Sequence, residues 1–146
     1  MKQQIANYNI GELKIGHEVN EKRLLTKEDI QKFANLTYDF HPLHTDLKYS
    51  QANGFKNIIA HGLLLSSFSS KIIGMKLPGE NAMVISQKFK YKNPVYPGTN
   101  LLINAVLDKI DLRFSILEIS VKITSIDKKQ IFSFGKYFVK VREKID

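Results

Sequence analysis

The feature that most constrains this chain is a change of period just past its midpoint. From residue 84 to 92, Ile85, Gln87, Phe89 and Tyr91 alternate with Ser86, Lys88, Lys90 and Lys92. A period of two describes a strand, here with one wet, basic face. Pro94, Pro97 and Gly98 mark a turn, Leu101, Ile103, Ala105 and Leu107 resume the alternation, and runs at 114–124 and 131–141 read as two more strands. Ahead of residue 84 the spacing is helical. Thr26 with an acid three residues on, Asp29, forms a capping signal before Ile30, Phe33 and Ala34, which predicts a helix of about 10 residues. A short polar helix is expected from Asp46 to about Gly54. Residues 62–75 should then wind as about four turns, with Leu64, Leu65, Phe68, Ile72 and Met75 on one face. Small residues, Ser66, Ser67, Ser69, Ser70 and Gly74, leave its other sides open to close approach. Helices followed by strands imply an α+β architecture, one long apolar helix covering a largely antiparallel sheet. A lone helix covers only one face of such a sheet, so pairing between chains is expected.

No internal repeat, low-complexity tract or Pro/Gly-rich linker divides the 146 residues, so residues 1–146 read as a single domain. With 43% hydrophobic and 25% charged residues, neither a disordered chain nor a collagen-like repeat is a candidate. The absence of cysteine removes disulfides, thiolate metal sites and a cysteine nucleophile, and it suits a reducing compartment. The first residues lack the apolar run of a signal peptide, and nothing approaches the roughly 20 apolar residues of a membrane span. A soluble cytoplasmic protein without membrane contact is expected. Lys+Arg 22 against Asp+Glu 14 gives a net charge of +8, which favours an acidic partner. The lysines are scattered and no recognition motif accompanies them, which argues against nucleic acid.

Candidate chemistry gathers around Asp39, His44 and Gly62. Asp39 and His44 are five residues apart, a spacing that turns them about 140° away from each other on a helix and puts them on opposite faces of a strand. Pro42 lies between them, and it predicts a loop that frees both side chains to meet at one water or one substrate carbon as an acid–base pair. A capping aspartate and a surface or core histidine are the plainer alternative. His61-Gly62 stands where the apolar helix begins. An amide there lacks an intrahelical partner, and a glycine leaves room for a carbonyl oxygen to approach it. Close helix–sheet packing would equally explain Gly62.

Three blocks, Asp39-Phe-His-Pro-Leu-His-Thr-Asp46, Ile58-Ile-Ala-His-Gly-Leu-Leu64 and Tyr91-Lys-Asn-Pro-Val-Tyr-Pro-Gly98, in this order and spacing, resemble the MaoC-type family of (R)-specific enoyl-CoA hydratases and 3-hydroxyacyl dehydratases. The resemblance runs from about residue 24 through the last strand. It implies a hotdog fold, an antiparallel sheet wrapped around a long central helix, and a homodimer with tunnels at the subunit interface. It also implies reversible addition of water to a trans-2-enoyl thioester of coenzyme A or acyl-carrier protein, giving an (R)-3-hydroxyacyl thioester. Asp39 and His44 then match the catalytic pair, Gly62 the amide that binds the thioester oxygen, and Ser70 a serine bordering the site; His41 and His61 are expected beside the substrate.

His41 departs from the asparagine usual at its position, Tyr38 from a small or polar residue, and Thr99 from an acidic one. No metal and no other cofactor is expected. A metal held by Asp39, His41, His44 and Asp46 is a minor alternative, because the family chemistry needs none. An acyl-CoA thioesterase and a nonenzymatic acyl-thioester-binding hotdog protein are the rival functions, since fold alone does not fix chemistry.

Overall fold

The computed structural model describes residues 4–143. Five strands form one antiparallel sheet: β1 (Glu18–Leu24), β2 (Ala82–Tyr91), β3 (Asn100–Asp111), β4 (Ile116–Ser125) and β5 (Ile131–Val141), in the order β1-β3-β4-β5-β2. The helices α1 (Lys27–Thr37), α2 (Pro42–Thr45), α3 (Leu47–Ala52), α4 (Gly62–Ser67) and α5 (Ser70–Met75) all precede β2. This is the α+β arrangement the periodicity predicts, with the sheet around the apolar helical stretch as the resemblance implies. β1 was not legible as a strand, because Glu18, Asn20, Glu21, Lys22 and Arg23 dilute its apolar signal; it forms by pairing with β3, Glu21 opposite Ile103.

The core lies where α4 and α5 meet the central strands. Ile103 faces Ile123, Ala105 faces Val121 and Leu107 faces Ile119 across the β3–β4 pair, and these six side chains join Leu64, Leu65, Ile72 and Ile73 in one buried cluster. Removing such aliphatic groups from water contributes about 1.5–3 kcal/mol each, which makes this layer the main stabilising element.

The helix expected over 62–75 is not continuous. It is interrupted at Phe68 and Ser69, where the backbone tightens to bonds three residues apart, Phe68 N–H to Leu65 O and Ser69 N–H to Ser66 O. The cause is the serine run. The hydroxyls of Ser66, Ser67 and Ser69 donate to the carbonyls of Leu63, Leu64 and Ser66, competing for the acceptors that a regular α-helix would use. Two tyrosines of the sheet tie the break down: Tyr137 Oη lies 2.7 Å from Ser69 Oγ, and Tyr91 Oη donates to Ser66 Oγ at 3.2 Å.

From Ser86 onward β2 pairs with β5 in regular register, but of the face predicted to point inward only Phe89, edge-on against Tyr137, is partly buried, while Gln87 and Tyr91 are exposed. Ahead of this stretch, a register shift between Val84 and Ser86 leaves Ile85 without a cross-strand partner, and Met83, Val84 and Ile85 are about half exposed. A bulge on an edge strand uncouples side-chain direction from the simple two-residue count. Among the described residues, no helix is long and apolar enough to cross a membrane.

Candidate active site

Thr26 caps α1 reciprocally with Asp29, as its spacing predicts: the Asp29 amide donates to Thr26 Oγ1 at 3.0 Å, and the Thr26 amide donates to Asp29 Oδ2 at 2.9 Å. The helix ends at Tyr38, in the left-handed region at φ 58° with its ring exposed. That reversal delivers Asp39 to the site. The Thr37 hydroxyl, itself bonded to Phe33 O, accepts the Asp39 amide, and Asp39 Oδ1 accepts the His41 amide at 3.2 Å.

Pro42 does not open a loop, as its position predicts, but starts α2 at the first helical residue. Its missing N–H is one that no helix start would use, and its ring presets φ for the helix. His41 is the cap: its Nδ1 accepts the Leu43 amide at 3.3 Å. An imidazole thus supplies the one acceptor that an asparagine would bring to this position. Asp46, in turn, caps α3 by accepting the Tyr49 amide. Both residues of the minor metal set that lie outside the acid–base pair are therefore occupied as helix caps.

Backbone contacts join the three sequence blocks. The Ile59 amide donates to Leu43 O at 3.0 Å and the Ala60 amide to Val95 O at 2.9 Å. His44, on the single turn of α2, donates from Nδ1 to Ile59 O at 2.7 Å. A carbonyl can only accept, so in the neutral ring Nδ1 carries the hydrogen and Nε2 keeps a free lone pair. Burial pushes the His44 imidazole below its usual range, neighbouring His61 and His41 push the same way, and the Ile59 carbonyl and Asp39 carboxylate oppose them. At neutral pH the His44 ring is therefore uncharged.

His61 lies under this pair. It is 3% exposed, with its ring stacked on His44 at 3.7 Å and 27°, and with Phe33 at 5.0 Å on the ring as well. Its Nε2 donates to the Asp39 carbonyl at 3.0 Å and lies 3.9 Å from Asp39 Oδ2. A carboxylate oxygen of Asp39 and one ring nitrogen each of His44 and His61 all fall within 4.8 Å of one another. A metal ion here would have to take His61 Nε2 from the Asp39 carbonyl, and near-parallel stacked rings do not converge their lone pairs on one point.

Gly62 follows as the first residue of α4, so its amide is one of the helix's orphan donors. A Cβ on it would meet the Tyr91 ring at 2.9 Å; close helix–sheet packing requires this glycine. The structure thus brings Asp39, His44, His61 and Gly62 together. His41 sits at the exposed rim. Ser70 opens α5 beyond the helix break and is exposed, and the serine bonded over Gly62's neighbour Tyr91 is Ser66 instead. Phe33, Ser66 and Tyr91 enter the sequence reading only as helix, spacer and strand residues, not as part of the site; the place of Tyr91 inside the third block is the available clue. Thr99 is a turn residue, its hydroxyl donating to Tyr96 O.

The chain is similar to known proteins. The family model described as a MaoC like domain matches residues 12–129. Over 90 residues the chain is 38% identical to a mitochondrial 3-hydroxyacyl-[acyl-carrier-protein] dehydratase of Arabidopsis thaliana, covering 62% of this chain and 53% of that protein. Over 87 residues it is 37% identical to an (R)-specific enoyl-CoA hydratase of Rhodospirillum rubrum, covering 60% of each. The chain therefore spans little more than half the length of these curated relatives. Among solved structures, the unliganded R-hydratase of Pseudomonas aeruginosa superposes with a TM-score of 0.87 at 26% identity, over 97% of this chain and 90% of that one.

Proposed function

We propose, for a chain that belongs to the MaoC-like domain family and has its hotdog fold, that it is a hydro-lyase adding water reversibly to a trans-2-enoyl thioester. The product is an (R)-3-hydroxyacyl thioester, carried on coenzyme A or acyl-carrier protein. The observation that carries this reading is the meeting of Asp39 and a neutral, Nδ1-protonated His44 beside the amide of Gly62. In the hydration direction, Asp39 and His44 Nε2 hold one water and take its proton. The hydroxyl adds to the β-carbon, the electron pair of the double bond moves toward the thioester, and the Gly62 N–H meets the charge on its oxygen. Return of the proton to the α-carbon completes the addition. A general base contributes about 10²–10⁴ in rate, and one oxyanion donor about 2.7–4 kcal/mol. The exposed rim residue His41 is assigned to the substrate side of this site.

The working unit is a homodimer. β2 is a sheet edge whose Met83, Val84 and Ile85 are about half exposed, a surface that a second copy would cover and that an isolated chain leaves as an open pairing template. The site belongs in the cytoplasm, in keeping with a chain without cysteine. The excess of lysine suits the phosphates of coenzyme A or an acidic carrier surface.

Incubation with short 2-enoyl thioesters tests the reaction. Loss of the conjugated double bond without release of thiol is the expected result. Thiol release with the double bond intact would make the protein a thioesterase and overturn the proposal. Sedimentation tests the dimer, with a monomer at micromolar concentration as the contrary outcome.

A further inference from the structure

The buried ring of His61 is a group the reaction above does not use. We infer that His61 is the positioning residue of the acid–base pair: through Nε2 it holds the backbone of Asp39, and with its ring face it sets the plane of His44. The inference rests on the hydratase reading for what the pair does, but the geometry stands apart from it.

Three observations converge. First, Asp39 sits on an irregular stretch between α1 and α2, where its own side chain is about half exposed. Among the described residues, its carbonyl takes its one hydrogen bond from His61, at 3.0 Å. Second, His44 reaches the site from a helix of one turn, too short to hold a side chain rigidly by itself. The Ile59 carbonyl fixes one atom of its ring, and the stacked face of His61 removes the remaining freedom to tilt. Third, His61 accepts a cost to do this. As the capping residue of α4 it makes no side-chain cap bond, and its Nδ1 is buried with no partner among the described residues. An orphaned buried nitrogen is unfavourable, and a ring turned to use Nδ1 as a cap, as His41 does, would give up the Asp39 carbonyl. The ring orientation favours the pair over the helix start.

A buried aromatic could equally be a space filler between Phe33 and His44, and two substitutions separate the roles. His61→Phe keeps a flat ring of similar size and loses the donor. His61→Gln loses the ring and keeps an N–H that reaches the place of Nε2. Turnover of enoyl thioester by both variants, their melting temperatures, and amide hydrogen exchange at His41 and His44 form the test.

Positioning predicts that the Phe variant stays folded yet loses about 100-fold in kcat, the scale of a misplacement near 1 Å, with KM within about threefold. The Gln variant should exceed it by at least about tenfold in kcat, and exchange at His41 should speed up in the Phe variant alone. A Gln variant no better than Phe in kcat overturns the inference. If the wild-type protein hydrates no enoyl thioester, the functional proposal falls, and the exchange data decide the present one: His41 as protected in the Phe variant as in wild type rejects it, and selective loss there upholds it.

Discussion

His41 and His61 begin two helices from nearly the same backbone conformation, φ −53°, ψ 133° and φ −60°, ψ 137°, and only the first acts as a cap. His41 is exposed, with the His44 and Tyr49 rings 5.9 and 6.4 Å from its own, and Nδ1 turns back onto its own helix. His61 is buried, with a carbonyl and a second imidazole in reach, and it turns away from its helix to hold them. Identical local geometry therefore yields a replaceable part in one place and a specific one in the other. The difference lies in what surrounds each ring.

The pair suspended between these two histidines gives the largest effects. Asp39→Asn and His44→Gln should each lower kcat by about 10²–10⁴ with melting temperature preserved; near-normal rates in both would break the assignment. In wild type, kcat/KM should be high above the lowered His44 value and fall as pH drops through it, since protonation occupies the Nε2 lone pair. Stability follows the same sign. The unfolded chain takes up the His44 proton near the ordinary value of about 6.5 while the folded one resists it, so this contribution is intact above that pH and is lost as pH falls through the folded value. Thermal melts across pH 5 to 8 measure it.

An intermediate effect is expected at the start governed by His61. Gly62→Ala keeps the amide but drives a methyl into the Tyr91 ring, which should destabilise the protein by about 1–3 kcal/mol and lower turnover. Adding Tyr91→Ala should cost less in the Gly62→Ala background than in wild type, and a denaturant double-mutant cycle reads that coupling. The smallest effect belongs to the other start. His41→Ala should lose about 1 kcal/mol as a cap, and His41→Asn close to none, both read by urea titration. A His41→Asn loss larger than that of His41→Ala would erase the distinction between the two histidines.

Much of this was legible in the residues. The Thr26–Asp29 pair marks α1, alternation marks β3, the runs at 114–124 and 131–141 mark β4 and β5, and Asp39, His44 and Gly62 stand out as candidates in the sequence. Other elements were not. Pro42 read as a breaker because a proline disrupts a helix interior but suits its first position, and spacing alone does not tell these apart. The serine run of 66–70 read as small spacers, although its hydroxyls interrupt the helix. Ile85 read as inward, and the bulge beside it turned it out.

By itself the sequence determined the period of each element, the residue types available for chemistry and, through three spaced blocks, the family. Those depend on local chemistry and on order along the chain. Only tertiary structure decided which ring nitrogen of His44 is free, that His61 lies beneath the pair, and that the Tyr91 ring packs against Gly62. Each of these is set by a partner 15 to 29 residues away, Ile59 for His44, Asp39 for His61 and Tyr91 for Gly62. A side chain's hydrogen bond and stacking energy go to whichever group the fold brings within about 3–4 Å, and no local pattern encodes that choice.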